Sequence, residues 1–172
     1  MKTTTSVFAA FFFISAFFIS CHKDSDVLNR TFSKVEEYMD ICPDTALYIL
    51  NSIPNPENLR GKAGADYALL MTEAMDKNYM KFSSDSLMVL ALEYYMPDKR
   101  EPFMRAKAQF YYGRVLLESD KDEEALGYFL SAKEYFASVR NDELLALVAE
   151  ETGKVKRKQK IHTEALEDFR EA

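Results

Sequence analysis

The stretch AKAQFYYGRVLLESDKDEEALGYFLSA, residues 106–132, decides the fold because it places small and large residues at helical spacing on both sides of a polar turn. Gly113 precedes the turn, and Ala125, Phe129 and Ala132 follow it at intervals of four and three residues. Residues three or four positions apart share one face of an α-helix. The stretch therefore predicts two helices, over 102–119 and 122–138, that pack against each other at these positions.

The same pattern recurs along the chain with a period near 40 residues. A small residue followed by leucine occurs four times, 40, 39 and 40 positions apart, at Ala46, Ser86, Ala125 and Ala165. A large apolar residue stands four positions after each of them, at Leu50, Leu90, Phe129 and Phe169. Twelve positions before them stand Lys34, Ala74, Gly113 and Gly153, of which only the lysine is not small. A fixed period of this length indicates a stack of repeated helix pairs.

These positions resemble those that define the tetratricopeptide repeat family. Gly113, Ala125, Phe129 and Ala132 fall at the family's offsets, and Gly153, Ala165, Phe169 and Ala172 repeat them. The resemblance implies an all-α, TPR-like α-solenoid of antiparallel helix pairs, with about four repeats and a period longer than the family's roughly 34 residues. A small residue at each crossing lets the two backbones approach, and an aromatic ring fills the space beside it.

Residues that typically start or end helices predict eight helices in the repeat region. No segment of that region alternates between apolar and polar residues, as a strand would. Pro43 suits a first helical turn. Asp120 with Glu123 resembles a capping box, although Asp122 could cap that helix instead, and Asn141 or Asp142 can cap the seventh helix. The predicted helices cover 27–41, 43–53, 63–79, 84–96, 102–119, 122–138, 142–159 and 162–172.

The N-terminus carries an apolar run of 13 residues, Val7 to Ile19, after the single cation Lys2. A bilayer-spanning helix needs roughly 20 apolar residues, whereas a secretory signal has an apolar segment of roughly 7 to 15 followed by a small residue at the cleavage site. The length therefore favours a signal peptide. The small Ser20 and Cys21 that follow resemble the lipobox of bacterial lipoproteins, although Phe18 stands where that motif usually has leucine.

The resemblance to a lipobox implies a lipoprotein signal peptide at 1–20 and a lipidated Cys21 with a tether at 21–26. The repeats then cover 27–172, and because Ala172 is the third small position of the fourth repeat, with no capping helix after it, we expect this domain to be truncated at its C-terminus. The resemblance to a lipobox also implies a lipid anchor in the outer membrane of the cell envelope, facing the periplasm or the surface. The alternative is a plain secretory signal, with Cys21 free or in a disulfide with Cys42. If Cys21 is lipidated, Cys42 is most simply a small apolar residue near a helix end.

Composition and spacing argue against several functions. The formal net charge is −6, and loss of Lys2 with the signal would leave −7, which argues against nucleic-acid binding because such binding depends on neutralising phosphates. Two cysteines and two histidines, widely scattered, give no zinc spacing. No nucleophile, acid–base pair or glycine-rich phosphate loop is recognisable. We therefore expect no enzyme activity, no cofactor and no metal.

Binding is the better-supported expectation, because stacked helix pairs form a concave surface lined by the first helix of each pair. The resemblance to the repeat family implies a partner groove, and its cations suit an acidic or extended peptide of a protein partner. The implied groove residues are Met71, Met75, Asn78, Lys107, Phe110, Arg114, Glu150, Lys154 and Arg157. The alternative is that these residues form ordinary solvated faces and parts of the core.

Two other functions stay open. Phrases such as PDTALYILNSI resemble Gram-negative envelope proteins in which such repeats precede a membrane helix and a regulatory tail, which would make this chain the sensory part of a longer regulator. The glycan-capturing lipoproteins of the SusD group also build on these repeats. They are much longer, however, and carry inserted loops with aromatic platforms that this chain lacks.

Overall fold

The structure, a computed structural model, describes residues 25–97 and 100–171, and within these ranges the chain forms seven α-helices and no strand. The predicted all-α class is confirmed. A short 3₁₀ helix, Pro56–Asn58, connects the second and third helices. The helices are α1 (25–39), α2 (Pro43–Asn51), α3 (Gly61–Lys77), α4 (Ser86–Tyr95), α5 (Pro102–Glu118), α6 (Asp122–Ser138) and α7 (Asp142–Glu171).

The N-terminal predictions fall mostly outside this description. The predicted signal peptide, residues 1–20, and the predicted lipidated Cys21 lie outside the described residues. The predicted tether reaches them at residues 25 and 26, which already belong to α1. Among the helices that are described, none combines the length and the apolar character needed to cross a bilayer. Cys42 is a free, half-buried thiol immediately before α2, and its Sγ donates to Asp44 Oδ1 at 3.0 Å.

Two clusters of buried side chains hold the helices together, and each helix packs mainly on its neighbours in sequence. The first core joins α1, α2 and one side of α3 through residues such as Val35, Leu50 and Leu70. The second core joins the other side of α3 to α4, α5, α6 and α7 through residues such as Leu69 and Phe129. Helix α3 therefore contributes to both cores.

The predicted crossing of α5 and α6 is present. A methyl group added to Gly113 would lie 2.5 Å from Cε1 of Phe129, far inside van der Waals contact. Phe129, Ala125 and Ala132 are all fully buried. A glycine is required here because only a residue without Cβ lets the phenylalanine ring lie directly against the backbone of α5.

Three helices end on a residue in the left-handed region: Tyr79 (φ 56°) after α3, Asp120 (φ 56°) after α5 and Arg140 (φ 53°) after α6. Each ending has the same pair of backbone hydrogen bonds; after α5, Lys121 N donates to Leu116 O and Asp120 N donates to Leu117 O. This is the Schellman ending. The predicted capping box is wrong, because Asp120 belongs to the end of α5 and α6 has no side-chain cap. Asn141 does cap α7, since its Oδ1 accepts a hydrogen bond from Leu144 N at 3.0 Å.

The C-terminal region departs from the prediction of two helices over 142–159 and 162–172. Residues Asp142–Glu171 form one continuous helix of 30 residues. No glycine or proline lies between 154 and 171, and the Thr163 hydroxyl donates to Gln159 O inside the helix, where it starts no new one. Ala165 thus lies about 18 Å along the helix axis from Gly153. The fourth crossing, predicted from Gly153, Ala165 and Phe169, is not formed.

Candidate binding groove

Helices α3, α5 and α7 lie side by side and line one continuous depression together with the turn between α1 and α2. It comprises two adjoining cavities of about 330 Å³ and about 160 Å³ that share Asp40, Lys77, Tyr111 and Leu147. We call this depression the groove. Its lining residues are Met39, Asp40, Pro43, Glu73, Asp76, Lys77, Tyr79, Phe103, Lys107, Phe110, Tyr111, Arg114, Asn141, Glu143, Leu144, Leu147, Glu150 and Glu151.

The base of the groove is aromatic. Phe110 and Tyr111 are buried, and their rings meet edge to face with centroids 5.1 Å apart. Burial, together with the nearby carboxylates of Glu73 and Asp76, raises the pKa of Tyr111 well above its usual value. The phenol therefore stays protonated at any physiological pH and can donate a hydrogen bond.

Ion pairs connect the helices across the groove. Arg114 on α5 lies between two carboxylates, with its Nη2 2.7 Å from Asp76 Oδ1 on α3 and its Nη1 2.7 Å from Glu151 Oε2 on α7. Burial opposes the charge of Arg114, yet these two carboxylates raise the pKa of the guanidinium above its usual value. Arg114 is thus held as a cation that ties three helices together.

Two lysines make further connections. Lys107 Nζ on α5 lies 2.6 Å from Glu73 Oε2 on α3, and Lys77 Nζ on α3 lies 2.7 Å from Asp40 Oδ1 after α1. Burial opposes the charge of Lys77, but the hydrogen bond to Asp40 raises the pKa of its ammonium. Every cation that lines the groove is therefore already engaged with a carboxylate of the same chain.

Glu73 is unusual among these carboxylates. Its side chain is only 6 % exposed, and its Oε2 atom is buried without a hydrogen bond of adequate geometry, although the Lys107 ammonium lies close by. At 2.6 Å the ammonium is nevertheless close enough for a charge-assisted interaction, so the charge of Glu73 is paired within the chain.

Tyr79 stands at the rim of the larger cavity. It follows α3 in the left-handed conformation, which directs the chain away from the helix, and it is 96 % exposed. Asp40, Asp76 and Glu150 line the same cavity. An exposed aromatic face beside carboxylates is a surface that favours positive charge.

The sequence-based site residues divide into two sets. Lys107, Phe110, Arg114 and Glu150 line the groove. Lys154 lies next to it, with Nζ 2.8 Å from both Glu150 Oε1 and Glu151 Oε1. Arg157 is exposed and lines neither cavity.

The three residues that the sequence assigned to the groove from α3 do not line it, so this part of the predicted groove is corrected. Met71 is buried in the first core, Met75 packs against that core, and the Asn78 amide donates to Ala74 O at the end of the helix. The side of α3 that carries Met71 and Met75 packs into the first core. The adjacent side of the helix, with Glu73, Asp76 and Lys77, lines the groove instead. Glu73 and Asp76 carry the charge opposite to that of Lys107 and Arg114, which follow about one repeat length later in the sequence. This charge pattern could have identified the groove side of α3 from the sequence.

Across the described residues no group of three or more histidine, cysteine or acidic side chains could hold a metal ion. A larger apolar cavity of about 550 Å³ lies between the start of α1 and the 3₁₀ connection, lined by residues such as Val27, Ile53 and Leu59. It offers few polar groups to orient a ligand.

No protein family, curated protein or solved structure matches this chain.

Proposed function

We propose that this chain is a TPR-like helical scaffold whose groove binds an extended segment of a protein partner. One observation carries the proposal: three helices that alternate along the chain, α3, α5 and α7, together line one depression with an aromatic base and charged sides. The sequence separations of the groove residues are those expected when helix pairs stack and the first helix of each pair faces a common ligand. Binding, not catalysis, is the activity we assign to it.

The dimensions of the groove favour an extended segment over a small ligand. Two adjoining cavities, each open to solvent, suit consecutive side chains of a peptide that runs across α3, α5 and α7. Leu147 lies between them, because it lines both cavities. A bulky side chain at this position would occupy the path of the ligand.

The test uses a steric block that leaves the charge unchanged. Leu147→Trp fills the junction of the two cavities, and Leu130→Trp places the same side chain on an exposed position of α6, a helix that contributes no side chain to the groove. We expect partners captured by the unsubstituted protein to be retained by Leu130→Trp and lost by Leu147→Trp. Circular dichroism of both variants checks that they fold. Equal capture by the folded Leu147→Trp protein would refute the proposal.

We also propose that the scaffold is anchored to the bacterial envelope through Cys21. The support is in the sequence: a 13-residue apolar run that ends at Ser20 and Cys21, too short to span a bilayer and suited to a cleaved signal. Intact-mass analysis of the native protein should show a species that begins at an acylated Cys21. Cys21→Ser should move the protein from the membrane fraction to the soluble fraction, and an unprocessed chain that begins at Met1 would contradict the anchor.

A further inference from the structure

We infer that the groove selects a basic peptide, in which arginine or lysine side chains enter the two cavities. This inference rests on the proposed function and reverses the charge that the sequence suggested for the partner. Six carboxylates and only three cations line the groove, a net charge of −3. Adding the neighbouring Lys154 to this count leaves −2, so the surface stays acidic.

The cations of the groove are not available to an acidic ligand. Lys77, Lys107 and Arg114 each have a nitrogen within 2.7 Å of a carboxylate oxygen of this chain. An acidic peptide would have to displace these carboxylates and leave them unpaired in a partly buried site, which is unfavourable. The groove therefore disfavours a negatively charged ligand.

Several carboxylates, by contrast, remain open to a ligand. Asp40 is 69 % exposed and Glu150 is 59 % exposed, although each is paired with a lysine, at 2.7 Å and 2.8 Å. A carboxylate can accept up to about four hydrogen bonds, so both can receive a guanidinium or ammonium group at the rim of the larger cavity.

The smaller cavity offers an exposed carboxylate of its own. Glu143, on α7, lines this cavity and is exposed. The buried Glu73 lies in the same cavity but is already paired with Lys107, 2.6 Å away. A basic side chain that enters this cavity would therefore pair with Glu143.

Tyr79 completes the recognition surface for a cation. Its ring is 96 % exposed at the edge of the cavity that Asp40 and Glu150 line. Arginine stacks favourably on such a face while its nitrogens donate to carboxylates. The volumes of the cavities, about 330 Å³ and about 160 Å³, match side chains, which is why we infer a peptide.

The test measures binding of three fluorescent peptides of equal length to the full chain: repeats of Gly-Ser-Arg, Gly-Ser-Glu and Gly-Ser-Gln. We expect only the arginine peptide to bind, and its affinity to fall as salt screens the carboxylates. Asp40→Asn combined with Glu150→Gln should weaken its binding roughly three- to tenfold, as expected for two exposed ion pairs. The matched control, Glu123→Gln with Glu134→Gln, removes the same charge from exposed positions of α6 and should change the affinity little.

Three results would overturn the inference: no binding of the arginine peptide at low salt, equal or tighter binding of the glutamate peptide, or equal weakening by the groove pair and the α6 pair. Equal weakening by the two pairs of substitutions would mean that the net charge of the protein attracts the peptide, without a specific site in the groove. Failure of the scaffold proposal is distinguishable, because it shows as unchanged partner capture by Leu147→Trp. A scaffold that loses its partner in Leu147→Trp but prefers the glutamate peptide would keep the proposed function and refute the basic ligand.

Discussion

At the scale of single residues, the contact of Gly113 with Phe129 fixes how closely α5 and α6 approach. The ring is fully buried and lies where the Cβ atom of any other residue would be. The ring is also packed against Phe110, with the two centroids 5.6 Å apart, which leaves it little room to move aside. The close approach therefore depends on the absence of a single methyl group.

We expect Gly113→Ala to reduce the free energy of unfolding by about 1–2 kcal/mol. Overpacking costs about 1–3 kcal/mol, and the better helix propensity of alanine recovers up to about 1 kcal/mol. Gly127→Ala on α6 is the control, because its added methyl group meets nothing within 4 Å, and it should stabilise the protein. Urea unfolding followed by circular dichroism measures both variants. A stabilising Gly113→Ala would show that the ring is not held where the structure has it.

Arg114 is the residue on which most inter-helix charge converges. We expect Arg114→Gln to lower the free energy of unfolding by about 2 kcal/mol, since it leaves the Asp76 carboxylate, 17 % exposed, without its cation and leaves Glu151, 8 % exposed, paired with Lys154 alone. The value is reduced from that of a fully buried pair because the Arg114 side chain is itself 26 % exposed.

The control for Arg114 is Lys158→Gln. Lys158 also bridges two carboxylates, Asp120 and Asp122, but Asp120 is 88 % exposed. Loss of this exposed bridge should cost less than loss of the Arg114 side chain, because solvent screens its charges. Denaturant unfolding at fixed salt compares the variants, and equal losses at the two positions would contradict the special role of Arg114.

At the scale of secondary-structure elements, the repeat pattern gave a wrong prediction for α7, which is one helix and not two. Gly153, Ala165 and Phe169 have the spacing of a helix pair, but no residue between them takes the left-handed conformation that Asp120 has after α5, and the helix continues. Repeat spacing alone therefore did not produce a hairpin. At α5 and α6 the same spacing is accompanied by the polar sequence Ser119–Lys121, and the turn forms there.

The continuity of α7 can be tested at Gly153. An added methyl group would meet nothing within 4 Å, so Gly153→Ala should raise the free energy of unfolding by about 0.5–1 kcal/mol, the cost of a glycine in a helix interior. If an eighth helix instead folded back against this position, as the repeat pattern predicted, the substitution would destabilise the protein. Urea unfolding of Gly153→Ala and Gly113→Ala under the same conditions shows whether each substitution raises or lowers the free energy of unfolding.

Helix α3 shows a different limit of sequence reasoning. Its existence and approximate ends followed from hydrophobic spacing, but the side that faces the groove did not. Leu69 and Leu70, adjacent in sequence, belong to different cores, so apolar residues surround much of the helix and give no single direction. Only the polar strip of Glu73, Asp76 and Lys77 identifies the groove side, and recognising it requires knowing which charged residues lie opposite.

At the scale of the whole molecule, the division into two cores predicts separable stability. Leu70→Ala and Leu69→Ala each remove a buried side chain and should cost about 2–5 kcal/mol. In hydrogen exchange, we expect Leu70→Ala to raise exchange chiefly in α1 and α2, and Leu69→Ala to raise it chiefly in α4 to α6. Identical exchange patterns would indicate a single cooperative unit, contrary to the packing of each helix mainly on its neighbours.

The ion pairs across the groove also bear on how such a chain could change its length during evolution. Lys77 and Asp40 are 37 positions apart, Arg114 and Asp76 are 38 apart, and Arg114 and Glu151 are 37 apart. Because these separations are close to one helix pair, duplication or deletion of a whole pair would again place a cation opposite a carboxylate at the new junction. Loss of one helix alone would leave a buried charge without its counterion. Selection on these charges would thus favour gene changes in units of two helices.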